Sequence, residues 1–147
     1  MPQHILVVNG PNLNLLGTRQ PEVYGHASLQ DLETSLRRRA ESYNDVTLQF
    51  FQSNSEGELL DWLHAEGPAS TGVILNAGAY SHTSIALRDA ISGLQLKVIE
   101  VHISNTQARE RFRHHSQLAA VCMGSIQGLG LFGYEAALEA LCGTAAP

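Results

Sequence analysis

The chain has 147 residues, with nine Lys+Arg against fourteen Asp+Glu and a formal net charge of -5. That length fits one domain, taken as residues 1–147, with a core that needs no disulfide staples, and a hydrophobic content of 44% excludes a disordered or collagen-like chain. The acidic balance excludes a broad nucleic-acid footprint and leaves room for a local basic pocket that takes a small anion.

Met1-Pro2-Gln3-His4 carries no basic region ahead of the apolar run Ile5–Val8. That run has the length and composition of a strand buried on both faces. No stretch approaches the ~18 apolar residues needed to span a bilayer, so a soluble, cytoplasmic protein without membrane partners is expected. A polar, Gly/Pro-rich stretch follows from Asn9 to about Ala27. Ser28-Leu29-Gln30-Asp31 resembles a helix-start box, and Leu29, Leu32, Leu36, Ala40 and Tyr43 share one helical face behind it. Val46–Phe51 reads as the second strand. Glu56–Glu66 is a helix stopped by Gly67-Pro68. Gly72–Leu75 is the third strand, Thr83–Ile91 the third helix and Leu96–Val101 the fourth strand. Gln107–His115 reads as a helix, Ala119–Met123 as the fifth strand and Tyr134–Leu141 as the last helix. The tail from about residue 143 is expected to fray.

Strands alternating with helices imply a parallel sheet covered on both faces. Five strands fit a flavodoxin-like, doubly wound layout in three αβα layers. Ligands of such sheets bind beyond the carboxyl ends of the strands. The polar residues at those ends are Asn9, Ser53-Asn54, Asn76 and His102.

The loop after strand 1 runs about 18 residues, well past the usual 2–6 of such connections, and reads as a lid or binding loop, or else as an irregular surface loop. It holds Asn12, Arg19 and Tyr24, with Gly17 and Gly25 as hinges. A tyrosine of ordinary pKa, about 10, must drop roughly three units, or about 4 kcal/mol, to act as a base at neutral pH. One arginine at ~4 Å supplies about that much at an effective dielectric near 20. Asn76-Ala77-Gly78-Ala79-Tyr80-Ser81-His82-Thr83, after strand 3, offers small residues that let backbone N–H groups approach a ligand, or else a helix-capping loop. In Glu100-Val101-His102, period 2 puts the carboxylate and the imidazole on one side of the strand, which suits a general acid or a buried structural pair. Ser104 and the backbone beside it can hold a carboxylate. Arg109 and Arg113, four apart on the expected helix, suit an anionic substrate or a solvated basic face. Arg37-Arg38-Arg39 lacks strand-end context and reads as surface or interface.

Several chemistries fall away. Lys97 is the lone lysine beside eight arginines and lies roughly 16 Å from the ligand end of the sheet, which excludes a Schiff base. His114 and His115 diverge by about 100° on a helix, and no Cys/His/carboxylate cluster has zinc spacing. Cys122 and Cys142 form no disulfide framework. A receiver module wants an acidic residue at the end of strand 1 and a lysine at the end of strand 5, where this chain has Asn9 and Met123-Gly124. A flavin module wants a Ser/Thr/Gly phosphate loop, and Asn12-Leu13-Asn14-Leu15-Leu16 is a poor one.

Gly10-Pro11-Asn12-Leu13-Asn14-Leu15-Leu16-Gly17-Thr18-Arg19, with Tyr24-Gly25, resembles the type II 3-dehydroquinate dehydratases. Gln52-Ser53-Asn54 with Glu56-Gly57 and Asp61-Trp62, the segment from Asn76 to Asp89, and the segment from Glu100 to Arg113 are similar to that family's remaining motifs in the same order. Ser55 and Ala77 depart from the family's frequent histidine and proline. The resemblance implies dehydration of 3-dehydroquinate to 3-dehydroshikimate without a cofactor or metal, in the shikimate pathway of aromatic amino acid biosynthesis. It assigns Tyr24 as base, Arg19 as the group that keeps Tyr24 anionic, Asn12 as an enolate stabiliser, and His102, oriented by Glu100, as acid. It gives ring hydroxyls to Asn76, His82 and Arg113, the carboxylate to Ile103 and Ser104, and lid closure to Arg109. Asp89 is expected to reach a neighbouring subunit in a homododecamer, a tetramer of trimers. A charged fraction of 16%, against about 25% in an average domain, agrees with buried subunit contacts.

Overall fold

Along the first strand, β1 (Gln3–Asn9), successive apolar side chains enter opposite faces of a sheet. Ile5 and Val7 join one buried cluster; Leu6 and Val8 join another. The computed structural model describes residues 2–18, 22 and 26–143. In it β1 pairs in parallel with β2 (Val46–Gln52) and β3 (Gly72–Asn76), and β3 passes the ladder to β4 (Val98–His102) and β5 (Gly124–Gln127). The order β2-β1-β3-β4-β5 is that of a flavodoxin-like doubly wound sheet.

Helices cover both faces and make three αβα layers. On one face α1 (Leu29–Ala40) supplies Leu32 and Leu36, and α4 (Phe132–Cys142) supplies Tyr134, Ala137, Leu138 and Leu141. On the other, α2 (Glu56–Glu66) supplies Leu59 and Leu63, and α3 (Ile85–Gly93) supplies Leu87 and Ile91. Each fully buried Leu or Ile is worth about 1.5–3 kcal/mol, far more than any helix propensity, so these two clusters hold the layers together. The start of α1 carries the box read from its sequence: Asp31 N–H donates to Ser28 Oγ, and Ser28 N–H donates to the Asp31 carboxylate.

Several elements differ from their sequence reading. Ala119–Met123 is not the fifth strand; Ala119–Val121 forms a 3₁₀ turn, and β5 begins at Gly124. The apolar run serves as packing instead, with Val121 and Cys122 against the second cluster. β5 is an edge strand that is mostly exposed, so Gly-Ser-Ile-Gln lacks the apolar signature of a central strand. It ends at Gln127, so the site where a receiver needs lysine is still not a lysine. Gln107–His115 is not a helix either. It breaks into two 3₁₀ turns, Thr106–Ala108 and Arg111–Arg113, with Arg109 and Glu110 extended between them. Side chains satisfy the broken ends: Asn105 Oδ1 accepts from Gln107 N–H, and Gln107 Nε2 donates to the His114 carbonyl. The expected Thr83–Ile91 helix starts later, at Ile85 capped by Ser84, and a separate 3₁₀ turn, Gly78–His82, precedes it. Residues 144–147 of the expected frayed tail lie outside the described residues.

Candidate active site

The register brings the carboxyl ends of the central strands level, with Asn9 opposite both Gln52 and Asn76. Chain leaves β1 towards β2 on one side and enters β3 from the other, so a crevice opens between the loops after β1 and β3. Gly10 makes their close approach possible. Its N–H donates to the Asn76 carbonyl at 2.8 Å, and a Cβ there would lie 2.4 Å from the Ala77 carbonyl oxygen. Asn12 then turns left-handed, at φ 69°, and its N–H donates to Asn54 Oδ1 at 2.9 Å. Asn54 also takes Gln52 Nε2 on Oδ1 and the Tyr80 hydroxyl on its carbonyl, which ties the three loops together.

A cavity of about 200 Å³ lies at this end of the sheet. Asn12, Asn76, His82, His102, Ile103, Ser104, Arg109 and Arg113 all line it. The 3₁₀ break in the 107–115 segment lets both arginines face one cavity without a shared helix face. Glu100 sits behind His102 rather than in the cavity wall, and Asp89 is exposed on α3 outside it. Arg19, Tyr24 and Gly25 lie outside the described residues.

His102 Nε2 donates to Glu100 Oε2 at 2.7 Å, and a carboxylate accepts only, so Nε2 carries its proton. Ser116 Oγ donates to the same Oε2 at 2.7 Å. Glu100 is fully buried. Burial pushes its pKa up, but hydrogen bonding and charge from His102, the Ser116 hydroxyl and the charge of His82 outweigh burial and hold it below the usual carboxylate range. Glu100 is therefore an ionised group that holds the His102 ring in place through its Nε2–H. His82 Nδ1 meets the His115 carbonyl at 2.8 Å, which places its proton on Nδ1 and leaves Nε2 as an acceptor in the neutral ring. The two imidazoles lie nearly parallel, 6.2 Å apart.

The cationic side is equally ordered. Arg109 Nη1 donates to Ser104 Oγ at 3.2 Å, and Arg113 Nε donates to Glu110 Oε1 at 2.8 Å. Arg113 thereby holds the Glu110 carboxyl low. Among the described residues no group of three or more His, Cys, Asp or Glu side chains is placed to hold a metal ion. Both thiols are held protonated, Cys122 by burial and the Glu100 charge at about 12, Cys142 by burial and the Glu139 charge at about 11, so neither is a nucleophile. The cavity can thus offer two imidazoles, amides and paired cations to a small anion.

Sequence reasoning found every cavity residue named above but missed two that support them. Ser116 carries no local sequence signal, and only its distance to Glu100 reveals it. Tyr134 only opens the expected last helix in the sequence, yet its hydroxyl donates to Asn9 Oδ1 at 2.6 Å and accepts from Asn76 Nδ2 at 2.8 Å.

The family model described as dehydroquinase class II matches residues 3–142. The chain is 61% identical over 137 residues to a 3-dehydroquinate dehydratase from an Exiguobacterium species, covering 93% of this chain and 92% of that protein. It is 57% identical over 138 residues to a 3-dehydroquinate dehydratase from Bacillus pumilus, covering 94% and 93%. The crystal structure of type II dehydroquinase from Butyrivibrio crossotus superposes with a TM-score of 0.91 at 41% identity, covering 95% of this chain and 97% of that one. Sequence, fold and family model coincide over nearly the whole chain, and the chain belongs to the class II dehydroquinase family.

Proposed function

We propose that this chain removes water from 3-dehydroquinate to give 3-dehydroshikimate, a hydro-lyase reaction through an enolate, in the shikimate pathway. The observation that carries the reading is the buried, ionised Glu100 bonded to His102 in the wall of an arginine-bearing cavity. A carboxylate in that position orients the imidazole that, as general acid, delivers a proton to a leaving hydroxyl.

The substrate carboxylate sits against Ser104 and the backbone at Ile103. Asn76, His82 and Arg113 take ring hydroxyls, with His82 Nε2 accepting. Tyr24, kept anionic by Arg19, removes the proton from the carbon beside the ketone. The electron pair moves onto the carbonyl oxygen, and Asn12 helps to hold the resulting enolate. As the ketone re-forms, the new C=C bond displaces the hydroxyl, and the His102 proton leaves with it as water. The two proton transfers use side chains alone, so the reading calls for no cofactor. Arg109 closes the lid over the bound substrate. Asp89, exposed on α3, serves a neighbouring subunit's cavity in a dodecamer of four trimers.

The test separates the two halves of the reaction. His102→Ala lowers dehydration on the order of 10²–10⁴-fold, the range of a lost general acid. Solvent-hydrogen exchange at the reacting carbon, followed by NMR, survives far better because enolate formation does not need His102. Equal loss of exchange and dehydration would contradict the acid role.

A further inference from the structure

Asn9 and Asn76 end β1 and β3 as register neighbours, and both are 3% exposed. Two amides side by side in the interior must each find partners or pay for their absence. The phenol of Tyr134, in the first turn of α4, enters between them. It is fully buried, and burial drives its pKa far up, so it stays neutral with a single proton. That proton goes to Asn9 Oδ1 at 2.6 Å. The phenol oxygen is then left only as an acceptor, and only the amino end of Asn76 can meet it, as Nδ2 does at 2.8 Å. The other end of the amide is fixed as well, because Asn76 Oδ1 accepts the Gly78 N–H at 3.1 Å. One N–H of Nδ2 and one lone pair of Oδ1 remain uncommitted on a residue that lines the cavity.

We propose that Tyr134 is a positioning residue: through the Asn9–Tyr134–Asn76 chain it fixes which way round the Asn76 amide stands, and so which atoms it presents to a substrate hydroxyl. The inference rests on the dehydratase reading and extends it to α4, which that reading leaves without a role in the chemistry. Without the phenol oxygen, Asn9 Oδ1 and Asn76 Nδ2 both lose their partners, and the Gly78 N–H alone is left to hold the cavity amide.

Tyr134→Phe keeps the ring and deletes only the hydroxyl. KM for 3-dehydroquinate and Kd for 3-dehydroshikimate rise roughly tenfold, while kcat falls less, the pattern of a lost ground-state contact. In an Asn76→Ala background the same change leaves Kd where Asn76→Ala has already put it, because the residue being positioned is gone. Ile5→Val, a buried change near the far end of β1, lowers the melting temperature without moving KM. If Tyr134→Phe does not fold, Asn9→Ala carries the same pair of measurements, since it removes the acceptor that commits the phenol proton. A lower melting temperature with unchanged KM and Kd overturns the proposal, and so does an equal rise of Kd in both backgrounds. Absence of turnover by the unmodified protein overturns the dehydratase reading and this inference with it. Turnover by the unmodified protein with unmoved constants in the variants overturns the inference alone.

Discussion

Glu100 is a fully buried carboxylate with one oxygen, Oε2, shared by His102 and Ser116 and the other, Oε1, buried without a partner among the described residues. A buried charge with half its lone pairs unmet is costly unless the field around it compensates. The direction of its pKa, lowered against the pull of burial, says that the compensation wins. The sign of the consequence follows from linkage. The folded-state pKa lies below the unfolded value near 4.5, so the stabilisation is full above that value and is lost as pH falls through the lower folded pKa. Melting temperature measured from pH 6 to pH 3 therefore drops more steeply below about pH 4.5 for the unmodified protein than for Glu100→Gln. Parallel curves would contradict a depressed Glu100. At this scale the sequence was a good guide. Period 2 alone paired Glu100 with His102, and strand-end position alone selected Asn76. Ser116 and Tyr134 were illegible because their partners lie 16 residues away for Ser116, and 58 and 125 residues away for Tyr134, on elements whose packing no local pattern encodes.

The loops at the carboxyl ends of β1 and β3 are built on a backbone contact, not a side-chain one. Gly10 tolerates no Cβ, since its nearest neighbour is the Ala77 carbonyl at 2.4 Å, and backbone does not yield as a flexible side chain does. Gly10→Ala separates the two loops, breaks the Gly10 N–H bond to Asn76, and displaces Asn12 and Asn76 together. Stability falls by about 1–3 kcal/mol, the usual range for strain and a lost buried hydrogen bond, and kcat/KM falls tenfold or more. Thermal unfolding and steady-state kinetics check it; normal kinetics in Gly10→Ala would show that the loop contact does not place the site. The elements that the sequence misplaced share one cause. An edge strand such as Gly124–Gln127 buries too little to carry an apolar pattern, so the neighbouring Ala119–Met123 run drew the assignment. The 107–115 segment is shaped by what it must reach. Arg109 and Arg113 both turn into the cavity, and helical continuity gives way to side-chain bonds that no periodicity announces.

At the scale of the whole molecule, two apolar clusters clamp five parallel strands, and the polar residues collect at one end of the sheet. Among the described residues no helix is long and apolar enough to cross a membrane. Large apolar side chains remain exposed on the single chain, Phe112 at 65%, Ile85 at 60% and Phe132 at 51% among them. The proposed assembly gives them somewhere to go. Twelve chains of 15.9 kDa predict a particle of about 191 kDa by light scattering. A monomer retaining full activity would contradict a site completed by a neighbour's Asp89.

The central claim is the reaction itself, with Tyr24 as its base. The direct measurement is ultraviolet absorbance of the conjugated enone after the purified protein is mixed with 3-dehydroquinate, with Tyr24→Phe run alongside. The account predicts a steady rise with the unmodified protein and almost none with the variant, although the variant still binds 3-dehydroshikimate. A rise of equal rate in both would contradict Tyr24 as base. No rise from folded, assembled protein would contradict the dehydratase reading and favour a family member that binds its ligand without turning it over.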